Sequence, residues 1–297
     1  MAVCVVTDST AYLPDGLAER RGIRQVPIHV LVDGRRWLDG VEFGPSDLVA
    51  ALARRASVST SRPTPGEFEA VYTDALRSGA EGVLSVHLSR ALSGTWEAAR
   101  LAAEQVGADR VRVVDSRSAG MGLGFVALAA AAVASAGGDL DEAFDTAEEV
   151  ATRTRTYFSV DTLEHLRRGG RVGSAAALLG TALAVKPLLH VDSGRIVPLE
   201  KVRTGARARA RLVELAVQAA GRSPVGVAVH HLGAPARAAE LVAQLHARLP
   251  ALADCLASEV CLVSEVGAAI GAHAGPGMLG VVVLPGGLQA ESSHQPG

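Results

Sequence analysis

Short apolar runs that end in hydroxyls and carboxylates recur through the first half of this chain, with helical periods between them. Val3–Val6 runs into Thr7, Asp8, Ser9 and Thr10, Gly82–His87 is followed by a polar cluster from Ser89 to Ser93, and Val111–Val114 ends in Asp115 and Ser116. Runs this short, with no polar alternation, have the character of strands buried on both faces. Strands alternating with helices of ten or more residues predict a parallel α/β sheet. Its polar clusters then gather at the carboxyl rim, where such sheets hold ligands. Leu13–Arg20, Pro45–Arg55, Pro65–Arg77 and Gly94–Gln105 read as the helices, with Ser93 placed as the N-cap of the last. Arg24–Val32 reads as one further strand, turned by Asp33-Gly34.

Ser118–Gly138 carries no charge, yet its alanines and glycines make a poor membrane span, so it reads as a buried helix. After a helix from Asp139 to Arg153 the character changes. Tyr157–Val160 reads as a strand, and Leu188–Val191 and Arg195–Val202 flank a hairpin turn at Asp192-Ser193-Gly194. Helices at Ser174–Val185, Ala206–Ala220 and Pro235–Leu249 alternate with strands at Val225–His230, Ser258–Val263 and Met278–Leu284. The expectation is an N-terminal parallel α/β domain over residues 1–155, a C-terminal α+β domain over 156–285, and a flexible tail over 286–297.

Composition narrows the function. Two domains fit a length of 297 residues. A net charge of -2 and the lack of aromatics among the basic groups argue against nucleic acid. Cys4, Cys255 and Cys261 match no zinc or redox spacing, and the histidines lack partners at ligand spacing, so no metal is assigned. The first strand begins too early for a signal peptide, which points to the cytoplasm. Only two of the 29 basic residues are lysines, Lys186 and Lys201, and neither stands in a P-loop. Gly120-Met121-Gly122-Leu123-Gly124 looks like a dinucleotide loop, but Phe125 stands where its third glycine belongs. Close helix packing accounts for it better. The 48% hydrophobic fraction comes with only 3% aromatics, an aliphatic excess that asks for a use.

Two segments are rich in hydroxyls. Ser59-Thr60-Ser61-Arg62-Pro63-Thr64-Pro65-Gly66 and Leu92-Ser93-Gly94-Thr95 both precede helices. Each reads as capping and turn chemistry, or as a cradle whose hydroxyls and free N–H groups take a carboxylate or phosphate. His273 precedes Gly275-Pro276-Gly277 and is either a loop residue or a ligand contact. A serine hydrolase or acyltransferase using Ser93 with His273 as base is a second reading, weakened by the absence of a nucleophile elbow and an orienting acid.

Taken in order, these motifs carry a resemblance. Val6-Thr7-Asp8-Ser9-Thr10, Thr60 to Phe68, Leu92-Ser93-Gly94-Thr95-Trp96, Val114-Asp115-Ser116, Leu166-Arg167-Arg168-Gly169-Gly170-Arg171-Val172, Lys186-Pro187-Leu188-Leu189, Val202-Arg203-Thr204 and Gly275-Pro276-Gly277 closely resemble the DegV family, the fatty-acid-binding subunits of bacterial fatty acid kinase. The resemblance runs from about Val3 to Val283. It implies a two-domain DegV-like α/β fold with a lipid tunnel between the domains and no ATP site or cofactor. A long-chain fatty acid would bind non-covalently and be presented to a separate kinase catalytic subunit for conversion to an acyl phosphate, with transient membrane contact for lipid exchange. The protein would not itself be an enzyme.

Carried across by position, Thr60 or Ser61 together with Ser93 and Gly94 would hold the carboxylate, and His273 would add a contact. Arg62 and Thr95 would stand near the head group, and Arg171 on the surface used for partner docking and lipid exchange. Arg62 replaces the family's usual Gln, Thr64 its frequent Ser, and Ala11-Tyr12 its usual Ser-Asp. An aliphatic-rich composition suits such a ligand. Each buried methylene contributes about 0.8 kcal/mol, so a long acyl chain gathers roughly 12 kcal/mol before the entropy of binding is subtracted.

Overall fold

The structure is a computed structural model describing residues 2–178, 185–221, 224–249 and 261–288. The chain begins β1 (Val3–Asp8), α1 (Leu17–Arg20), β2 (Ile23–Val26), β3 (His29–Val32), β4 (Arg35–Leu38), α2 (Pro45–Ala53), β5 (Val58–Ser61) and α3 (Pro65–Arg77). It continues through β6 (Gly82–His87), α4 (Thr95–Val106), β7 (Val111–Asp115), α5 (Met121–Ser135) and α6 (Leu140–Arg153). The second half comprises β8 (Arg155–Ser159), α7 (Glu164–Arg168), β9 (Lys186–Asp192), β10 (Arg195–Val202), α8 (Gly205–Ala220), β11 (Val225–His231), α9 (Pro235–Arg248), β12 (Cys261–Glu265), α10 (Ala268–Ala274) and β13 (Leu279–Pro285).

Three sheets organise these elements. The predicted parallel sheet is present, in the order β2-β1-β6-β7. A six-stranded sheet, β10-β9-β8-β13-β11-β12, is antiparallel except where β11 meets β12. The third sheet, β4-β3-β5, corrects the single strand expected over Arg24–Val32. β2 stays in the parallel sheet, and Pro27, which lacks a backbone donor, separates it from β3. The Asp33-Gly34 turn does form, both residues having positive φ, and it joins β3 to the unforeseen β4.

The predicted helix at Ser174–Val185 is represented by a short 3-10 turn over Gly173–Leu178, and residues 179–184 lie outside the described residues. The same holds for the start of the strand expected at Ser258, and for residues 289–297 of the expected tail.

α5 is the helix that the charge-free segment predicted. It is buried from Met121 to Ala131 and shares one core with β1, β6 and β13. A Cβ on Gly122 would lie 2.0 Å from Ser118 Oγ, so the glycine run serves close packing. A second core joins Val30, Val32, Phe43 and Leu48 to Phe158, Val160, Leu189 and Leu232. Residues of the three-stranded sheet thus pack with the six-stranded sheet, although they precede it by about a hundred positions.

The hydroxyl segment around Thr64 contributes a helix start as well. Thr64 Oγ1 accepts the Glu67 N–H at 3.3 Å, and Glu67 Oε2 accepts the Thr64 N–H at 2.7 Å. This reciprocal box satisfies two orphan donors at the N-terminus of α3. Thr64→Ala is expected to lower unfolding free energy by about 1 kcal/mol in urea denaturation, since it removes one half of the box.

Candidate functional site

A cavity with about 940 Å³ of empty space lies between the carboxyl rim of the parallel sheet and the six-stranded sheet. Loops after β1, β6 and β7 supply Thr10, Leu88, Leu92, Ser93 and Gly120. β8, β10 and β13 supply Phe158, Ile196, Val281 and Val282, and α10 supplies Ala269, Ile270 and His273. Aliphatic side chains make most of this wall, Val191, Ile196, Val281 and Val282 from strands and Leu88, Leu92, Leu166 and Ile270 from loops and helices.

Thr60, Ser93, Arg171 and His273 all line this cavity, bringing four of the sequence-predicted residues into one site. Thr60 reaches it from β5, where alternation points Ser61 the other way, exposed and outside the lining. His273 Nε2 lies 2.9 Å from Thr60 Oγ1. Its Nδ1 is buried without a hydrogen-bond partner and faces Gly169, where a Cβ would come within 1.9 Å. Burial pushes the His273 pKa down to about 4, and the Arg171 guanidinium acts in the same direction. The ring is therefore neutral at pH 7. When Nε2 carries its proton and donates to Thr60 Oγ1, the Thr60 hydroxyl hydrogen is free for an anionic oxygen in the cavity.

Ser93 does not cap α4 as expected. The helix begins at Thr95 and Gly94 is the cap residue, one position later than the periodicity indicates. Ser93 Oγ instead accepts the Thr95 N–H at 3.3 Å and shares a 2.8 Å hydrogen bond with Thr95 Oγ1, leaving Ser93 on the cavity wall and Thr95 buried behind it. Gly94 is outside the lining, and its missing Cβ makes room for Arg62, whose Nη1 would lie 2.2 Å from it. Arg62 is exposed and does not line the cavity. Arg171 is held inward: Nε donates to the Leu92 carbonyl at 3.0 Å and Nη1 to the Gly169 carbonyl at 2.6 Å.

Several polar lining residues were not singled out from the sequence, three of which carry hydrogen bonds that shape the site. Thr156 enters from β8, with its hydroxyl 3.0 Å from Ser118 Oγ. His230 Nε2 accepts the Met121 N–H at 2.7 Å, meeting an orphan donor at the start of α5. Its Nδ1 lies 3.1 Å from Ser264 Oγ, and burial drives its pKa down to about 4. Gly120, at φ +62, allows this approach, since a Cβ there would lie 2.7 Å from His230 Nε2. Thr10 is the third, and it ends a buried chain. Asp8 accepts the Thr10 N–H and hydroxyl, the Leu88 N–H at 3.0 Å, and a hydrogen bond from His87 Nδ1 at 3.0 Å. His87 Nε2 meets Ser85 Oγ at 2.7 Å, and the Tyr72 hydroxyl donates to that same oxygen at 2.7 Å.

Ser85, His87 and Asp8 thus stand in the order of a hydrolytic triad. Ser85 is completely buried, is outside the cavity lining and already accepts from Tyr72, so it has no access to a substrate. Ser93 and His273 do share the cavity, but the hydrogen bond of His273 goes to Thr60. Among the described residues, no group of three or more His, Cys, Asp or Glu side chains could hold a metal ion, and no helix is long and apolar enough to cross a membrane.

Comparison with known proteins agrees with this architecture. A family model described as uncharacterised protein, DegV family, matches residues 2–286. A DegV domain-containing protein of Streptomyces coelicolor is 54% identical over 281 residues, covering 95% of this chain and 98% of the relative. Protein DegV of Bacillus subtilis is 36% identical over 284 residues, covering 95% and 98%. Among solved structures, a DegV family protein from Thermus thermophilus, described by its fatty acid binding, superposes with a TM-score of 0.88 at 35% identity, covering 96% of this chain and all of that one. DegV of Bacillus subtilis, described as a fatty acid binding protein, gives 0.84 at 34% identity, covering 95% and 99%. With the family model, curated relatives and solved structures all matched over nearly its whole length, the chain belongs to the DegV family.

Proposed function

We propose that this protein binds a long-chain fatty acid non-covalently and presents its carboxylate to a separate kinase for conversion to an acyl phosphate. One observation carries the reading: an aliphatic cavity reaches a polar cluster of two hydroxyls, a neutral imidazole and one guanidinium. The acyl chain needs only dry aliphatic walls, and the carboxylate takes hydrogen bonds from Thr60 and Ser93. Arg171 supplies the compensating charge, which lowers the cost of drawing an anion out of water. His273 orders the Thr60 hydroxyl rather than pairing with the anion. The fatty acid binding described for the Thermus and Bacillus proteins supports this reading.

Presentation to a kinase follows from the same end of the site, because no nucleotide motif stands in the chain and a second protein must supply ATP. The exposed Arg167 and Arg168, beside the inward-held Arg171, offer the docking and exchange surface for that partner and for a transient membrane contact. We place the protein in the cytoplasm, where acyl chains and ATP meet. Thr95 then supports Ser93 from behind, while Ser61, Arg62 and Gly94 lie outside the lining rather than touching the ligand.

Native mass spectrometry tests the reading directly. The expected spectrum shows one intact, non-covalent fatty acid per chain. Ser93→Ala is expected to weaken retention roughly 10-fold or more, as hydrogen bonds to charged groups contribute about 1.5–3 kcal/mol. An acyl group covalently linked to Ser93, or ester turnover abolished by Ser93→Ala, would instead establish the serine hydrolase.

A further inference from the structure

The helix that delivers His273 to the cavity cannot cap itself. α10 begins after Gly267, which has no side chain to accept the first free N–H groups. The space where such a side chain would go is filled from elsewhere: a Cβ on Gly267 would lie 2.4 Å from Tyr12 Cε1 and 2.8 Å from Asp39 Oδ1. These two residues perform the capping. Asp39 Oδ1 accepts the Ala269 N–H at 3.1 Å, and the Tyr12 hydroxyl oxygen accepts the Ile270 N–H at 3.1 Å. The Tyr12 hydroxyl in turn donates to Asp39 Oδ2 at 3.1 Å, and Ser9 Oγ donates to the same oxygen at 2.8 Å.

The arrangement is anchored on both sides. Asp39 is almost wholly buried, and Tyr12 holds a left-handed backbone at φ +43, a conformation an ordinary residue keeps only when its surroundings enforce it. Ser9 Oγ also accepts the Ile28 N–H at 3.1 Å, so one hub ties the loop after β1, the start of β3 and the first turn of α10. Every element in that hub contributes to the cavity: Thr10 and Ile28 on one side, Ala269, Ile270 and His273 on the other. His273 lies one helical turn beyond Ala269, so a change at the capped end is transmitted to its ring.

We propose that Tyr12 and Asp39 are positioning residues, a cap supplied in trans that sets α10 so that His273 meets Thr60. Burial raises the Asp39 carboxyl above its ordinary range and holds the Tyr12 phenol protonated, so its O–H remains a donor. The affinity arm of the test rests on the fatty acid reading, and the spectroscopic arm does not.

Tyr12→Phe removes one oxygen and keeps the ring. Loss of a helix cap corresponds to about a five-fold change, so binding of cis-parinaric acid is expected to weaken about five-fold in an otherwise native protein. The His273 imidazole nitrogen shifts, read by NMR without ligand, are expected to move with it. Asp39→Asn keeps an oxygen for the Ala269 N–H but sets an amide N–H against the Tyr12 and Ser9 hydroxyls, so both readouts are expected to fall between those of native protein and Asp39→Ala. In a His273→Ala background, Tyr12→Phe is expected to cause no additional loss. An equal loss in that background, or unmoved imidazole shifts in Tyr12→Phe, would overturn the proposal. If native protein binds no fatty acid, the functional reading fails, and the shifts alone still decide the positioning role.

Discussion

Asp8→Ala is expected to cost about 3–5 kcal/mol of unfolding free energy, because it strands several buried donors at about 1–3 kcal/mol each. Both Asp8 oxygens are fully used, by the Thr10 N–H and hydroxyl on one and by Leu88 N–H and His87 on the other. Asp8 and His87 are each without solvent exposure, so water cannot replace the lost acceptor without opening the sheet. At least three donors would be stranded together, each at about 1–3 kcal/mol. Asp8→Asn should cost less, because one oxygen survives. Urea denaturation of the two variants checks the ordering, and a loss below about 1 kcal/mol for Asp8→Ala would show that the network is dispensable. The effect would also reach the cavity, since Thr10 and Leu88 line it.

Acid is the second large perturbation. His230 and His273 each have a pKa held down to about 4 by burial, whereas an unfolded histidine titrates near 6.5. Between those values the unfolded chain binds more protons, so stability falls as pH falls and is fully present only above about 6.5. Each histidine then contributes a slope of about 1.4 kcal/mol per pH unit, or about 3 kcal/mol across the whole window. Replacing either by Gln should flatten the pH dependence by one proton. Denaturation midpoints measured from pH 7 down to pH 4 would expose the slope, and identical slopes in native protein, His230→Gln and His273→Gln would contradict it.

How far the sequence carries depends on whether a feature is local. The parallel sheet was legible because Val3–Val6, Gly82–His87 and Val111–Val114 are unbroken apolar runs with polar ends. α5 was legible because a charge-free Ala and Gly segment has few alternatives to burial. Thr60, Ser93, Arg171 and His273 were legible through the order of their motifs, and the structure gathers them in one lining. By contrast, β3 was merged with β2, because both are short and the significance of Pro27 depends on which sheet each joins. The cap expected from Ser93 was misplaced by one residue, an ambiguity that Ser-Gly-Thr cannot resolve without backbone angles. His230 was not legible as part of the site, since its partner Met121 lies 109 positions away. Tyr12 and Asp39 gave no sign at all of acting on a helix near the other end of the chain.

The Thr60–His273 contact spans 213 residues. Such a closure is slow to form, since the entropy of ordering the intervening chain must be met before the contact returns anything. During synthesis, β5 is finished long before the ribosome has added α10, so a nascent chain with a complete parallel sheet still has no receptor for an anionic head group. On the proposed reading, acquisition of the ligand is confined to the finished molecule, and a truncated product would not sequester lipid through this contact.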